Sequence, residues 1–479
     1  MCATNYDRRE SIEGAHLGIN IMRRSNYKLG HQQSMQKSDK KIVEQTDLSL
    51  LEELTGAFEQ GRTIRLLNGD LTLLEALQSD DTHTSSMASL QMYNLIGNRL
   101  TKRLVQDQRF PGNRTKMIRT DNGGCGFYPA FVALPLLRRA LRTGSPEDAI
   151  AWLQEVLSTT VATGKTIDAL WGVPVEQEIP LTEGIKLVPI DNLPESKNKQ
   201  WMMGAEFSNL SSPIITTLSF TPPQSALVVT RKIDPFLFDP DLGTELTNDE
   251  YLKTHELIKE IVLVLTVVGP RVAISAAQWF TFDDPDLEEA NILSGGRSMQ
   301  MLEILPLGAK DYPTLNCAEA QEMVAGYINL TGDNRSKVRV ALQRLNQALR
   351  RHNTGDSAVE LATGLEALFG DSDNSEMTHK IRMRTARVIG GAQQERIKNA
   401  QLIKRMYEIR SKLVHTGHVD LNKTFKIGEQ SMTARDIVDQ AVQICAQAIK
   451  TIIRRGSIPN WSVFDILEHP DSPVFQAQG

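Results

Sequence analysis

Gln393–His418 reads QQERIKNAQLIKRMYEIRSKLVHTGH. Its apolar residues recur at helix spacing. Leu402, Met406, Ile409 and Leu413 form one stripe, and Ile403, Tyr407, Arg410 and Val414 the stripe beside it. Arg410 thus takes a slot that should be apolar, and an isolated inward charge is costly unless it is paired. His415 follows five residues later. On an unbroken helix that spacing is a turn of about 140°, so the two share a face only if the helix ends between them. Thr416-Gly417 supplies a stop, because glycine just past a helix favours a left-handed cap. The helix is expected to reach about Val414, with His415 in its last turn or in the exit loop.

Neighbouring helices break their stripes in the same way. Glu376–Ile389 carries Met377, Ile381, Arg384 and Val388 on one face, so an arginine again points inward. In Asp356–Phe369, Glu366 sits beside Ala362, Leu365 and Phe369, which makes it the nearest carboxylate for Arg384 or Arg410. Two readings follow. One is an interior ion-pair network that sets helix register, in which Arg410→Ala would cost several kcal/mol by stranding a carboxylate. The other is chemical. Arginine is always charged and its planar fork suits phosphate oxygens. Histidine titrates near ~6.5 and can give or take a proton at neutral pH. Together they suit RNA cleavage, the imidazole moving the proton of the ribose 2′-OH and the guanidinium stabilising charge at phosphorus. Spacing alone decides little. Arg9 with His16 and Arg24 with His31 show a similar interval in polar sequence with no helical stripe.

Around this stretch everything after Asn316 reads as helix: Ala318–Leu330, Arg335–Arg351, Asp356–Phe369, Glu376–Ile389, Gln393 to about Val414, and Thr433–Ile453. Short connections between helices of this length predict an antiparallel bundle. The stretch from Asp284 to Asn316 has little periodicity and is the expected boundary. Before it, Ile167–Val173, Ile185–Ile190, Ile214–Phe220, Ser225–Arg231 and Arg271–Phe282 read as strands, and a helix runs from Asp249 to about Val268. Earlier still, Leu48–Phe58, Ser86–Leu104, Tyr128–Arg142 and Ala149–Val161 read as helices, and the first forty residues are polar. The fold class expected is multidomain α+β: a polar arm (1–40), a helical and mixed α/β sensor or regulatory region (41–310), an all-α bundle (318–457) and a tail (458–479).

Apolar residues make up 41% and charged residues 23%, as in ordinary globular proteins. A net charge of −5 excludes a global nucleic-acid footprint, so any basic surface must be local. One exists. Glu376–Lys412 holds ten Lys or Arg against three carboxylates. Cys2, Cys125, Cys317 and Cys445 are scattered with no CxxC, which argues against structural zinc. No signal peptide or spanning segment is legible, and a cytoplasmic protein without membrane contact is expected. Asn122–Phe127 places Cys125 among glycines, but no partner block of His and Asn follows. The expectation there is a flexible loop, and for Asp283–Glu289 a solvated acidic loop. Walker and GxGxxG phosphate loops are missing from the sequence.

The blocks RLNQALRR (344–351), DSAVELATGLEALFG (356–370), THKIRMRTARVIG (378–390) and MYEIRSKLVHTG (406–417) carry a family resemblance. Over roughly residues 318–455 the chain resembles the Apea-like branch of the HEPN ribonuclease superfamily. The resemblance implies an endoribonuclease that needs no metal or other cofactor and a homodimer or higher oligomer that unites two Arg/His motifs. Arg410 and His415 would be catalytic, with Glu366, Arg384 and Ser411 supporting and Lys404, Arg405 and Lys412 contacting RNA. It also implies a role in antiviral defence by abortive infection or as a toxin, with a phage-derived trigger acting on the N-terminal region. The alternative is a HEPN scaffold that binds RNA or a protein without cutting.

Overall fold

The computed structural model describes residues 47–466 except 57–58, 68, 78, 80–81, 108, 111–115, 204–221, 241–248, 292–297, 300–310, 372–375 and 421–422. The polar arm, the strand expected over Ile214–Phe220 and the last part of the tail lie outside the described residues. The chain is mixed α+β. It divides into two compact units: Met1–Thr115 with Tyr128–Leu157, and Lys116–Phe127 with Ser158–Gly479.

The first unit is helical, with helical turns at 47–56 and 59–63. Among the described residues the α-helices that follow are α1 (Leu73–Leu77), α2 (Thr82–Met92), α3 (Asn98–Gln106), α4 (Pro129–Thr143) and α5 (Pro146–Ser158), with a π-helical turn, Tyr93–Gly97, joining α2 to α3. Their apolar faces bury Leu50, Leu54, Leu100, Leu104, Leu136 and Trp152. Arg109 binds Asp107 (Nη2 to Oδ2, 2.7 Å) and Asp47, and Gln154 reaches Asp47 at 2.7 Å. Each charge there has a partner, as near-complete burial requires.

The second unit is built on a sheet ordered β4-β5-β6-β3-β8-β9 (Ile179–Thr182, Ile185–Pro189, Ser225–Ile233, Ala162–Trp171, Ile274–Phe282, Ser298–Met299). Every ladder is antiparallel. The expected α/β region is therefore an antiparallel sheet with helices packed on it. Both faces of its centre are buried. Ile167, Ala169 and Trp171 of β3 point into one apolar cluster, and Leu170 joins the other. That second cluster runs without interruption from Leu187, Leu227 and Val229 through α7 (Asp249–Leu265) into the C-terminal helices. Between β5 and β6 lies α6 (Lys197–Met203), and after β8 comes α8 (Pro285–Ala290).

The C-terminal helices are α9 (Cys317–Ile328), α10 (Gly332–Arg350), α11 (Thr354–Phe369), α12 (Met377–Ile389), α13 (Gln393–Thr416), α14 (Ala434–Arg455) and α15 (Trp461–Phe464). Polar contacts add to the shared core that joins bundle to sheet. Asn346 Nδ2 donates to Thr266 Oγ1 (3.0 Å) and to the Ala273 carbonyl (2.9 Å), and Gln321 donates to the Pro180 carbonyl (2.9 Å).

Three expectations need correction. First, the region after Asn316 is not wholly helical. Thr424–Ile427 (β10) and Gln430–Thr433 (β11) form a hairpin across Gly428, whose φ of 58° suits the tight turn. Phe425 and Ile427 alternate with Lys426, so the hairpin buries one face in the bundle core. Second, Gly124–Phe127 (β2) is a strand, not a loop. It pairs with Lys116–Arg119 (β1), which also pairs with Leu237–Phe238 (β7). Gly124 permits this, since a Cβ there would stand 3.2 Å from the Phe238 ring and 3.1 Å from the Ile118 carbonyl oxygen. Cys125 is buried, its thiol 2.9 Å from Asn291 Oδ1. Third, the acidic run is helix α8, N-capped by Asp284, while Asp283 pairs with Lys165 at 2.8 Å.

One buried group breaks the pattern of β3. Asp168, 2% exposed, lies opposite Gln278 and accepts a hydrogen bond from Ser275. Burial pushes its carboxyl up to about 7, against the lowering effects of Ser275 and Lys259. The folded chain therefore keeps a proton that the unfolded chain releases above about pH 4. Stability should fall as pH rises from about 4 to 7, by up to about 4 kcal/mol from this group. Asp168→Asn should remove that slope. Urea melts of both proteins at pH 5 and pH 8 should show the variant gaining on the parent at pH 8, and an unchanged difference would refute the assignment.

Candidate functional site

Helix α13 starts where the Glu395 carboxylate accepts the Ala392 N–H at 3.0 Å. It buries Leu402, Ile403, Met406, Tyr407 and Ile409. It stops at Gly417, with φ of 68° and an N–H bonded to the Leu413 carbonyl at 2.7 Å. The stop is the expected glycine, but the helix runs through Thr416 and does not end between Arg410 and His415. On this continuous helix the two side chains diverge by about 140° around the axis. His415 is in the last turn and exposed. One copy of α13 does not bring the pair to one face.

Arg410 is half-buried and turned toward α11. Its Nη2 stands 3.9 Å from Glu366 Oε1, and its Nε is buried without a hydrogen-bond acceptor among the described residues. The same Glu366 oxygen accepts from the Tyr407 hydroxyl at 3.3 Å, which also lies 3.4 Å from the Ala362 carbonyl. Burial, with the Glu366 charge beside it, pushes the Tyr407 hydroxyl well above the usual phenol range, so it stays a donor. Glu366, Tyr407 and Arg410 form a loose polar cluster with donor capacity to spare.

Arg384 belongs elsewhere. It is 2% exposed. Its Nη2 meets Asp371 and Asp465 at 2.6 Å each, its Nε reaches Asp465 at 3.1 Å, and its Nη1 donates to the Phe369 carbonyl at 2.6 Å. The Trp461 ring lies 5.1 Å from its guanidinium carbon. Its burial follows from the inward stripe, but its partners are Asp371, Asp465 and the Phe369 carbonyl and not Glu366. Asp371 lies beyond the end of α11. Asp465 falls in the segment after residue 457, where Trp461 and Phe464 pack on the bundle. No periodic pattern links either to Arg384, so stripe analysis could not find them.

The remaining expected residues divide between faces. Ser411 and Lys404 are exposed. Arg405 is held by Glu408 at 2.8 Å and lies over the Phe425 ring at 6.0 Å. Lys412 is half-buried. Among the described residues no group of three or more His, Cys, Asp or Glu is placed to hold a metal ion, and no helix is long and apolar enough to cross a membrane. No family model, curated protein or solved structure matches the chain.

The two inward arginines should separate in stability. Arg384→Ala strands Asp465 and leaves Asp371 with Lys380 alone, and is expected to cost about 3 kcal/mol. Arg410→Ala loses one long, half-exposed contact and should cost less than about 1 kcal/mol. This lowers the several kcal/mol that sequence alone suggested for Arg410. Denaturant melts of both variants test the order, and a larger loss for Arg410→Ala would overturn it.

Proposed function

We propose that the chain is a HEPN endoribonuclease that cleaves RNA and needs no metal ion. The observation that supports this most is Arg410. Among the described residues its half-buried guanidinium meets Glu366 at 3.9 Å and its Nε has no acceptor, so it retains donors for an anion. It sits in a helix pair with a local excess of seven positive charges.

In the proposed reaction the ribose 2′-oxygen attacks phosphorus as its proton passes to a base. The bond from phosphorus to the 5′-oxygen then breaks, and that oxygen takes up a proton. The products are a 2′,3′-cyclic phosphate and a 5′-hydroxyl. His415 moves one of the two protons, and Arg410 stabilises the charge on the pentacoordinate phosphorus. Glu366 and Tyr407 position the guanidinium. Because Arg410 and His415 diverge on α13, the proposed site draws its second member from another copy of the chain. The antiviral role, with a phage-derived trigger at the N-terminal region, rests on the family resemblance.

A scaffold that binds without cutting is the second reading, and the exposure and divergence of His415 favour it. The readings separate in one assay. RNA is incubated with purified protein in EDTA, and product ends are mapped. His415→Ala is expected to lose about 10²- to 10⁴-fold in rate. Arg410→Ala should lose about 10²-fold or more. Equal cleavage by parent and both variants, or none by any, rules out the enzyme.

A further inference from the structure

A groove of about 390 Å³ lies between α12 and α13. Arg382 and Arg387 line it from α12, and Arg396 and Lys404 from α13, with no carboxylate among the described residues that line it. Its apolar patch is Met383, 40% exposed, and Ile397, 44% exposed. Arg382 Nε is buried without an acceptor among the described residues. Arg387 is already oriented, donating to the Phe464 carbonyl at 2.9 Å and lying 4.6 Å from that ring's centroid. Arg382, Arg396 and Lys404 set three like charges around exposed methylene surface, and an anion with an apolar body relieves both costs.

The direction of the groove matters as much as its charge. Ile397, Lys404, Ser411 and His415 fall within about 40° of one another around the α13 axis. The groove face is therefore the His415 face and not the Arg410 face. From Lys404 to His415 is about 16 Å along the axis. Glu408 lies on this path, but both its oxygens are taken by Arg405 at 2.8 Å.

We propose that this groove binds a nucleotide of a single-stranded RNA, with phosphate on Arg382, Arg396 and Lys404 and the base or ribose against Met383 and Ile397, and that the strand continues along α13 to His415. The inference rests on the ribonuclease reading for its direction, and its test is independent of cleavage. Full-length His415→Ala protein is titrated into a short labelled single-stranded oligoribonucleotide and followed by anisotropy over a range of salt. Adding Arg396→Glu and Lys404→Glu should weaken binding roughly ten-fold or more and flatten the salt dependence. Met383→Gln with Ile397→Gln should weaken it several-fold while leaving the salt slope unchanged. Lys253→Glu, an exposed charge outside the groove, should change binding by less than about two-fold.

Equal weakening by the Lys253 variant, or full binding by the Arg396/Lys404 variant, overturns the proposal. So does adenosine monophosphate binding as tightly as the oligomer, which would make the groove a site for a free nucleotide. Polyglutamate competing as well as RNA would mark it as a site for an acidic protein. Self-association lost in the groove variants, read by sedimentation, would mark it as an interface between copies. If the groove variants fail to bind while the parent never cleaves RNA, the groove stands and only the ribonuclease reading falls.

Discussion

Arg384 has to be neutralised, and the C-terminal helices are arranged around that need. A guanidinium at 2% exposure presents five N–H donors that water cannot reach. Four of them are met, by the carbonyl at the end of α11, by Asp371 just after it, and twice by Asp465 beyond α15. Lys380 adds a second cation against Asp371 at 3.2 Å, so two positive charges meet two negative ones. The Asp371 carboxyl is held below its usual range by the hydrogen bond from Arg384. One inward charge thus fixes three stretches of chain that share no apolar stripe. Because Arg384 takes these partners, Glu366 is left to Tyr407 and Arg410.

That division explains why two arginines with the same sequence signature behave differently. Both break an apolar stripe. Arg384 is surrounded by acceptors at hydrogen-bond distance, whereas among the described residues Arg410 has a single carboxylate, at 3.9 Å. The first arrangement has its charge matched by two carboxylates and serves the fold. The second has donors left over, which is the minimum an anion-binding group requires.

Periodicity made the helices legible. The stripes of α10, α11, α12 and α14 were read within a few residues, because each buries one face in a common core. Three features escaped for physical reasons. The β10–β11 hairpin is too short for its alternation to stand out between two long helices. Gly124–Phe127 lacks strand propensity and is a strand only because its glycine lets Phe238 and the Ile118 carbonyl come close. The low-periodicity stretch before Asn316 suggested a boundary, yet the apolar core passes from the sheet into the bundle, because contacts across space leave no mark on local pattern. At the candidate site the inward cations were visible, as were the histidine and the glycine stop. The partners of Arg384 were not, since pairing depends on chain returns far apart in sequence.

The length of α13 sets the remaining constraint. Arg410 faces α11 while His415 faces solvent, and two routes could bring a cation and an imidazole together. Unwinding the last turn would sacrifice the Gly417 and Thr416 bonds to Leu413 and Lys412, each worth about 0.5–1.5 kcal/mol. It would also disturb packing on both sides of the turn. Leu413 and Val419 close over Gly355 at the start of α11, where a Cβ would stand 3.0 and 2.9 Å from them. Val419 is itself buried. The helix end is therefore clamped by the core and not free to fray. A second chain approaching the exposed face requires none of these losses, so the ribonuclease proposal, with α13 intact, calls for a partner copy to complete its site.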